Sequence, residues 1–121
     1  MGITNAGKIE LTKLTGNTGS PVAFTYLELG SGSTAFAAAQ TALVTAITTG
    51  SLGRASATVS VATYTLTLTK TWTATGSATV REAGVFNASS GGDMLARTVL
   101  DTARSLSSGS SYTYTYNITF A

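Results

Sequence analysis

Alternation of apolar and polar residues is strongest over residues 57–75. Tyr64, Leu66, Leu68, Lys70, Trp72 and Ala74 fall at even positions, while Thr63, Thr65, Thr67, Thr69, Thr71, Thr73 and Thr75 fall at odd ones. A period of two with β-branched residues on one face predicts a strand. Val59 and Val61 are odd-numbered, so the phase slips before Tyr64 and predicts a bulge or break near Ala62. Fully extended, the run would measure roughly 60 Å, too long for a domain of this size without a break.

Shorter alternating runs follow the same rule. Residues 22–29 read as a strand with Phe24, Tyr26 and Glu28 on one face and Leu27 and Leu29 on the other. Gly76 and Ser77 turn the chain, and residues 78–87 read as the partner of the long strand, with a second bulge near Gly84. Residues 89–93 form a hairpin turn before a strand over residues 94–100, and residues 105–111 form a Ser/Gly turn. In the last strand Tyr112, Tyr114, Tyr116, Ile118 and Phe120 share one face.

Residues 34–48 change period. Phe36, Gln40, Leu43, Val44 and Ile47 recur at helical spacing over an Ala-rich stretch, with Ser33 or Thr34 to cap the start and Gly50 to end it. This predicts the one helix, or else an extended Ala-rich crossing loop with a single helical turn. Residues 1–20 read as an extended arm and turn, with Ile3, Ile9 and Leu11 as its apolar positions. The chain is therefore expected to be mainly β: an antiparallel β-sandwich over residues 21–121, with one short α-helix and the N-terminal arm.

Composition narrows the function. The 121 residues include no His and no Cys, which removes Ser-His-Asp and Cys-His nucleophiles, imidazole or thiolate metal sites, and disulfides. Only five carboxylates occur, at Glu10, Glu28, Glu82, Asp93 and Asp101. No catalytic, cofactor or metal site is expected. Charged residues are 10% of the chain against about 25% in ordinary domains, and 24 threonines and 14 serines stand in their place. Such a surface can be covered by another protein with little charge to desolvate, although a secreted, charge-poor β domain would share the composition. The seven cations are scattered, so nucleic acid is not an expected partner. No apolar run reaches membrane-spanning length, and no signal-peptide core opens the chain.

The remaining candidates have plain readings. Glu82 beside Arg81 suggests a structural ion pair or turn contact, and Asp93 after Gly91 and Gly92 a turn residue. Gly30-Ser31-Gly32 falls short of a phosphate-cradling motif. Tyr112, Tyr114 and Tyr116 form a core or subunit-interface face. A carbohydrate-binding stripe is the alternative, and would need Tyr112, Tyr114, Trp72 and Tyr64 exposed. Ile3, Ile9 and Leu11 on the arm complete the candidate assembly surface.

Several blocks occur in order along nearly the whole chain. These are Ile3-Thr4-Asn5-Ala6-Gly7, Leu27-Glu28-Leu29-Gly30-Ser31-Gly32-Ser33-Thr34, Gln40-Thr41-Ala42-Leu43-Val44, and a closing Tyr-Thr-Tyr-Asn-Ile-Thr-Phe strand. The strongest runs from Arg81-Glu82-Ala83-Gly84-Val85-Phe86-Asn87-Ala88 through Gly91-Gly92-Asp93-Met94-Leu95-Ala96-Arg97. Together they resemble small virion structural proteins of tailed bacteriophages, and are also similar to the N-terminal region of tail-collar fibre proteins. The resemblance implies a structural role in the virion without catalysis, in a protein made in the host cytoplasm. Its partner would be the major capsid protein or another virion protein, and it would be a homo-oligomer, with a trimer favoured. With one compact domain and no shaft, it points to a head decoration (cement) protein. A tail, collar or fibre-base component is the alternative.

Overall fold

The computed structural model describes residues 2–120. Its elements are β1 (Gly2–Ile3), α1 (Asn5–Gly16), β2 (Tyr26–Gly30), β3 (Ala55–Ser56), β4 (Thr58–Ala62), β5 (Thr65–Thr73), β6 (Ala78–Phe86), β7 (Met94–Leu106) and β8 (Ser111–Thr119). They form a five-stranded sheet in the order β1-β7-β6-β2-β3 and a three-stranded sheet in the order β4-β5-β8. Every pairing is antiparallel. The expected mainly-β class with antiparallel sheets and one short helix is what forms.

Alternation explains the core. Leu27 and Leu29 from β2, Ala83 and Val85 from β6, Leu68 and Trp72 from β5, and Tyr112, Tyr116 and Ile118 from β8 meet in one buried cluster between the sheets. The Trp72 indole N–H donates to the Gly53 carbonyl at 3.0 Å, which satisfies its single polar atom. On the other face of the large sheet, Phe86 and Met94 pack with Leu43 and Tyr26. That face is covered by the connection of residues 31–54.

The long alternating run breaks where its phase slips. Thr63 takes a left-handed φ of 54°, and Ala62 pairs with Thr65 across a two-residue turn, so β4 folds back on β5. The chain then changes sheets. β6 does not partner β5, as its position in sequence suggested; it lies between β7 and β2 in the larger sheet. Bulges bracket Gly84 rather than sit on it. From Val80 to Glu82, two steps on β6 face five on β7, from Arg104 to Val99, and Val85 and Phe86 face Ala96 and Met94.

The helix lies elsewhere than predicted. Residues 34–48 are irregular, and the N-terminal segment taken for an extended arm holds α1. Thr4 caps α1 by accepting the Gly7 N–H at 2.9 Å, and its own hydroxyl donates to the Met94 carbonyl. Asn17 ends the helix in a left-handed conformation at φ 51°. Gly7, Leu11 and Leu14 recur at helical spacing and turn towards the body of the domain, while Ile9 points outward and is 60% exposed.

Glu10 ties the helix to the following connection. Its carboxylate accepts the Val22 N–H at 2.8 Å and faces Lys13 at 3.5 Å. The Val22 N–H is the main cause holding its pKa below the ordinary carboxylate range.

Candidate assembly surfaces

The carboxylate singled out by sequence has a structural role. Glu82 and Arg97 are both fully buried, and the Arg97 Nε–H donates to Glu82 Oε1 at 2.7 Å. Glu82 also accepts backbone N–H groups from Gly32 and Thr45 at 2.8 Å and from Val44 at 2.9 Å. Burial pushes its pKa up, but these donors together with Arg97 outweigh that and hold it below the usual value. A carboxylate so fully occupied has no lone pair free for acid–base chemistry. Arg81 is exposed and is not the partner that its adjacency to Glu82 suggested.

This pair explains why residues 34–48 are not helical. N–H groups that a helix would satisfy internally donate to Glu82 instead. Arg97 Nη1 meanwhile donates to the Thr34 carbonyl at 2.9 Å. Gly30 and Gly32 make room for the carboxylate: a Cβ on either would lie 2.5 or 2.6 Å from Glu82 Oε2. The Gly-Ser-Gly stretch thus accommodates a buried side chain of the chain itself. Asp93 sits in the β6–β7 turn as expected, its N–H donating to Asn87 Oδ1 at 2.8 Å. Arg54 braces the same turn, donating to the Ala88 and Gly91 carbonyls and stacking 3.6 Å above the Phe86 ring.

The tyrosine ladder belongs to the core. Tyr112 and Tyr116 are buried and Tyr114 is half-buried, so the three do not form an open interface. Burial raises the Tyr112 pKa despite nearby Arg104, pushes Tyr114 up to about 12 and raises Tyr116 further. Trp72 is buried as well, leaving Tyr64 as the exposed member of the proposed sugar-stacking set. That set does not form a surface stripe. The Tyr116 hydroxyl is buried without a hydrogen-bond partner among the described residues. Tyr116→Phe should therefore leave stability within about 1 kcal/mol of wild type, on the stabilising side. Thermal unfolding checks this; a larger loss would show that the hydroxyl is satisfied.

Two surfaces remain open. The first is the outward face of the three-stranded sheet. The pairing register puts Thr58, Ser60 and Ala62 of β4 beside Thr65, Thr67, Thr69, Thr71 and Thr73 of β5. It puts Ser111, Thr113, Thr115, Asn117 and Thr119 of β8 on the other side of β5. Among the described residues, no charged one stands on this face.

Its polar groups are largely paired with one another. Thr71 meets Thr113 at 2.7 Å, Thr67 donates to Asn117 at 2.8 Å, and Thr65 meets Thr119 at 3.1 Å. A hydroxyl that already has a protein partner loses less when water leaves than a free one.

The second surface is an apolar groove of about 410 Å³ between α1 and the β4–β5 hairpin. Leu11 and Leu14 line it from the helix and Val59, Val61, Tyr64 and Leu66 from the hairpin, together with Phe24 and Phe120. Val61 is 73% and Tyr64 69% exposed, and every residue of β4 is exposed. Of the arm residues expected at an assembly surface, Leu11 lines this groove, Ile9 lies outside it, and Ile3 pairs with Ala96 on the sheet. Periodicity does not mark the hairpin valines as surface candidates, because a free strand edge depends on which strands pair in space.

Comparison with protein-family models gives no match, and comparison with curated proteins gives none.

Proposed function

We propose that this chain is a non-enzymatic structural protein of a tailed-bacteriophage virion, a decoration protein that stabilises the head by lying across capsid subunits. The outward threonine face carries the reading: an extended, uncharged surface whose hydroxyls are largely paired internally. Covering it with another protein desolvates no ion and strands few donors. The apolar groove beside it adds surface that gains from burial. The blocks running from Ile3 to Phe120 that resemble phage virion proteins supply the setting.

Quantification of the chain in purified particles tests the proposal. A decoration protein is present in hundreds of copies, and particles lacking it should rupture at lower temperature. A handful of copies labelled at the tail would overturn head decoration in favour of a tail or collar role. Thr69→Lys and Thr115→Lys together place two cations on the threonine face and should abolish attachment to particles while leaving the unfolding temperature within a few degrees of wild type. Undiminished attachment would show that this face is not the one covered.

A further inference from the structure

The β4–β5 hairpin offers a free sheet edge as well as an apolar groove. β4 pairs with β5 on one side, and among the described residues no strand pairs with its other side. Natural edges are usually protected by lysine, proline or a bulge. Thr58-Val59-Ser60-Val61-Ala62 has none of these. The direction of its free groups follows from the ladder. The Phe120 N–H donates to the Tyr64 carbonyl at 2.8 Å, so even-numbered backbone groups of β5 face β8. Thr65, Thr67 and Thr69 therefore face β4 and bond to Ala62, Ser60 and Thr58. The N–H and C=O groups of Val59 and Val61 consequently point outward.

We propose that the partner of this edge is β4 of a second copy of the chain, paired antiparallel about a two-fold axis through Ser60. The pattern of the strand is symmetric about that residue. In this register Val59 of each copy lies opposite Val61 of the other, as hydrogen-bonded pairs that use the four outward N–H groups and their matching carbonyls. The valine side chains meet on the groove face and extend the two apolar grooves into one. Ser60 meets its own copy as a non-hydrogen-bonded pair. The result is a continuous six-stranded sheet, β8-β5-β4 and its symmetry mate, with both threonine faces on the same side. The groove lining carries no charge, so two copies approach without like-charge repulsion. A β8 edge on β4 would instead be a head-to-tail contact, which closes into rings or grows into filaments. The two-fold contact does not rest on the virion reading, because it concerns the isolated chain.

The sequence has no cysteine, so a single substitution reports the contact cleanly. Across the two-fold axis the Ser60 Cα atoms would lie about 4.5 Å apart, within disulfide reach. Ser60→Cys under mild oxidation should convert nearly all of the protein to a covalent dimer on a non-reducing gel. Thr115→Cys, also exposed but on β8, should remain uncrosslinked. Light scattering on the wild type should give twice the chain mass, and Val61→Lys should halve it while the chain stays folded, since Val61 is 73% exposed in the single chain. A monomeric or trimeric wild type would overturn the proposal. So would crosslinking through Thr115→Cys but not Ser60→Cys.

Discussion

Arg97→Met is expected to lower stability by about 3–5 kcal/mol, because it leaves Glu82 charged, buried and without its counter-ion. Many buried ion pairs can be replaced by apolar residues at little cost. This one differs in what else it holds. Glu82 accepts the Gly32, Val44 and Thr45 N–H groups. An Arg97→Met, Glu82→Leu double variant strands those donors and should stay far below wild type. Glu82→Gln should also be costly: its amide presents a donor where four donors converge. Urea unfolding at neutral pH measures all three. A double variant as stable as wild type would show that the carboxylate does not organise residues 31–48.

Acid should reveal the same carboxylate. The folded pKa of Glu82 is below its ordinary value of 4.5, so the folded state binds this proton less readily than the unfolded state. Its contribution is complete above the unfolded value and disappears as pH falls through the folded one. Wild-type stability, followed by urea unfolding, should therefore fall as pH drops below 4.5. In Arg97→Met the Glu82 pKa should move upward, because one of the groups that lowers it is gone.

Strands were legible where a single force determined them. The alternation in residues 64–74 encodes a face turned towards the larger sheet and a face of threonines, and the phase slip at Ala62 marks the hairpin turn. Two things were not legible. Sheet membership depends on which strand the chain meets in space, so β5 and β6 looked like a hairpin though they lie in different sheets. Residues 34–48 have the spacing and alanine content of a helix, but helix propensity is worth only tenths of a kcal/mol per residue. A buried carboxylate needing several donors outweighs it, and Glu82 stands 37 residues beyond Thr45, whose N–H it accepts. Arg97, rather than adjacent Arg81, was likewise hidden by sequence distance. The helix that does form carries its signal in Thr4 ahead of Gly7, Leu11 and Leu14, whereas Ile9 and Leu11 taken alone suggest an extended arm.

Gly7→Ala should reverse the usual sign of helix propensity. In an exposed helix interior this change stabilises by up to about 1 kcal/mol. Here a Cβ on Gly7 would lie 2.6 Å from the Leu95 carbonyl oxygen and 2.8 Å from its Cα. Both are backbone atoms of the bulged residue of β7, whose neighbours Met94 and Ala96 are paired to β6 and Ala96 also to β1, so the strand cannot yield as a flexible side chain would. The helix must move instead. That movement disturbs the Thr4 N–H bond to the Leu95 carbonyl at 2.9 Å and draws Leu11 and Leu14 away from the core they pack against. Overpacking of this kind typically costs 1–3 kcal/mol, about the same as or more than the propensity gain. The net result should be a loss of stability, with increased hydrogen exchange over residues 5–16 and little change in β5 and β8, which do not touch Gly7. Gly16→Ala provides the contrast. Its Cβ would meet only the Thr18 hydroxyl at 3.8 Å, so that variant should not destabilise. If both substitutions raise the unfolding temperature equally, α1 does not rest on β7 through Gly7.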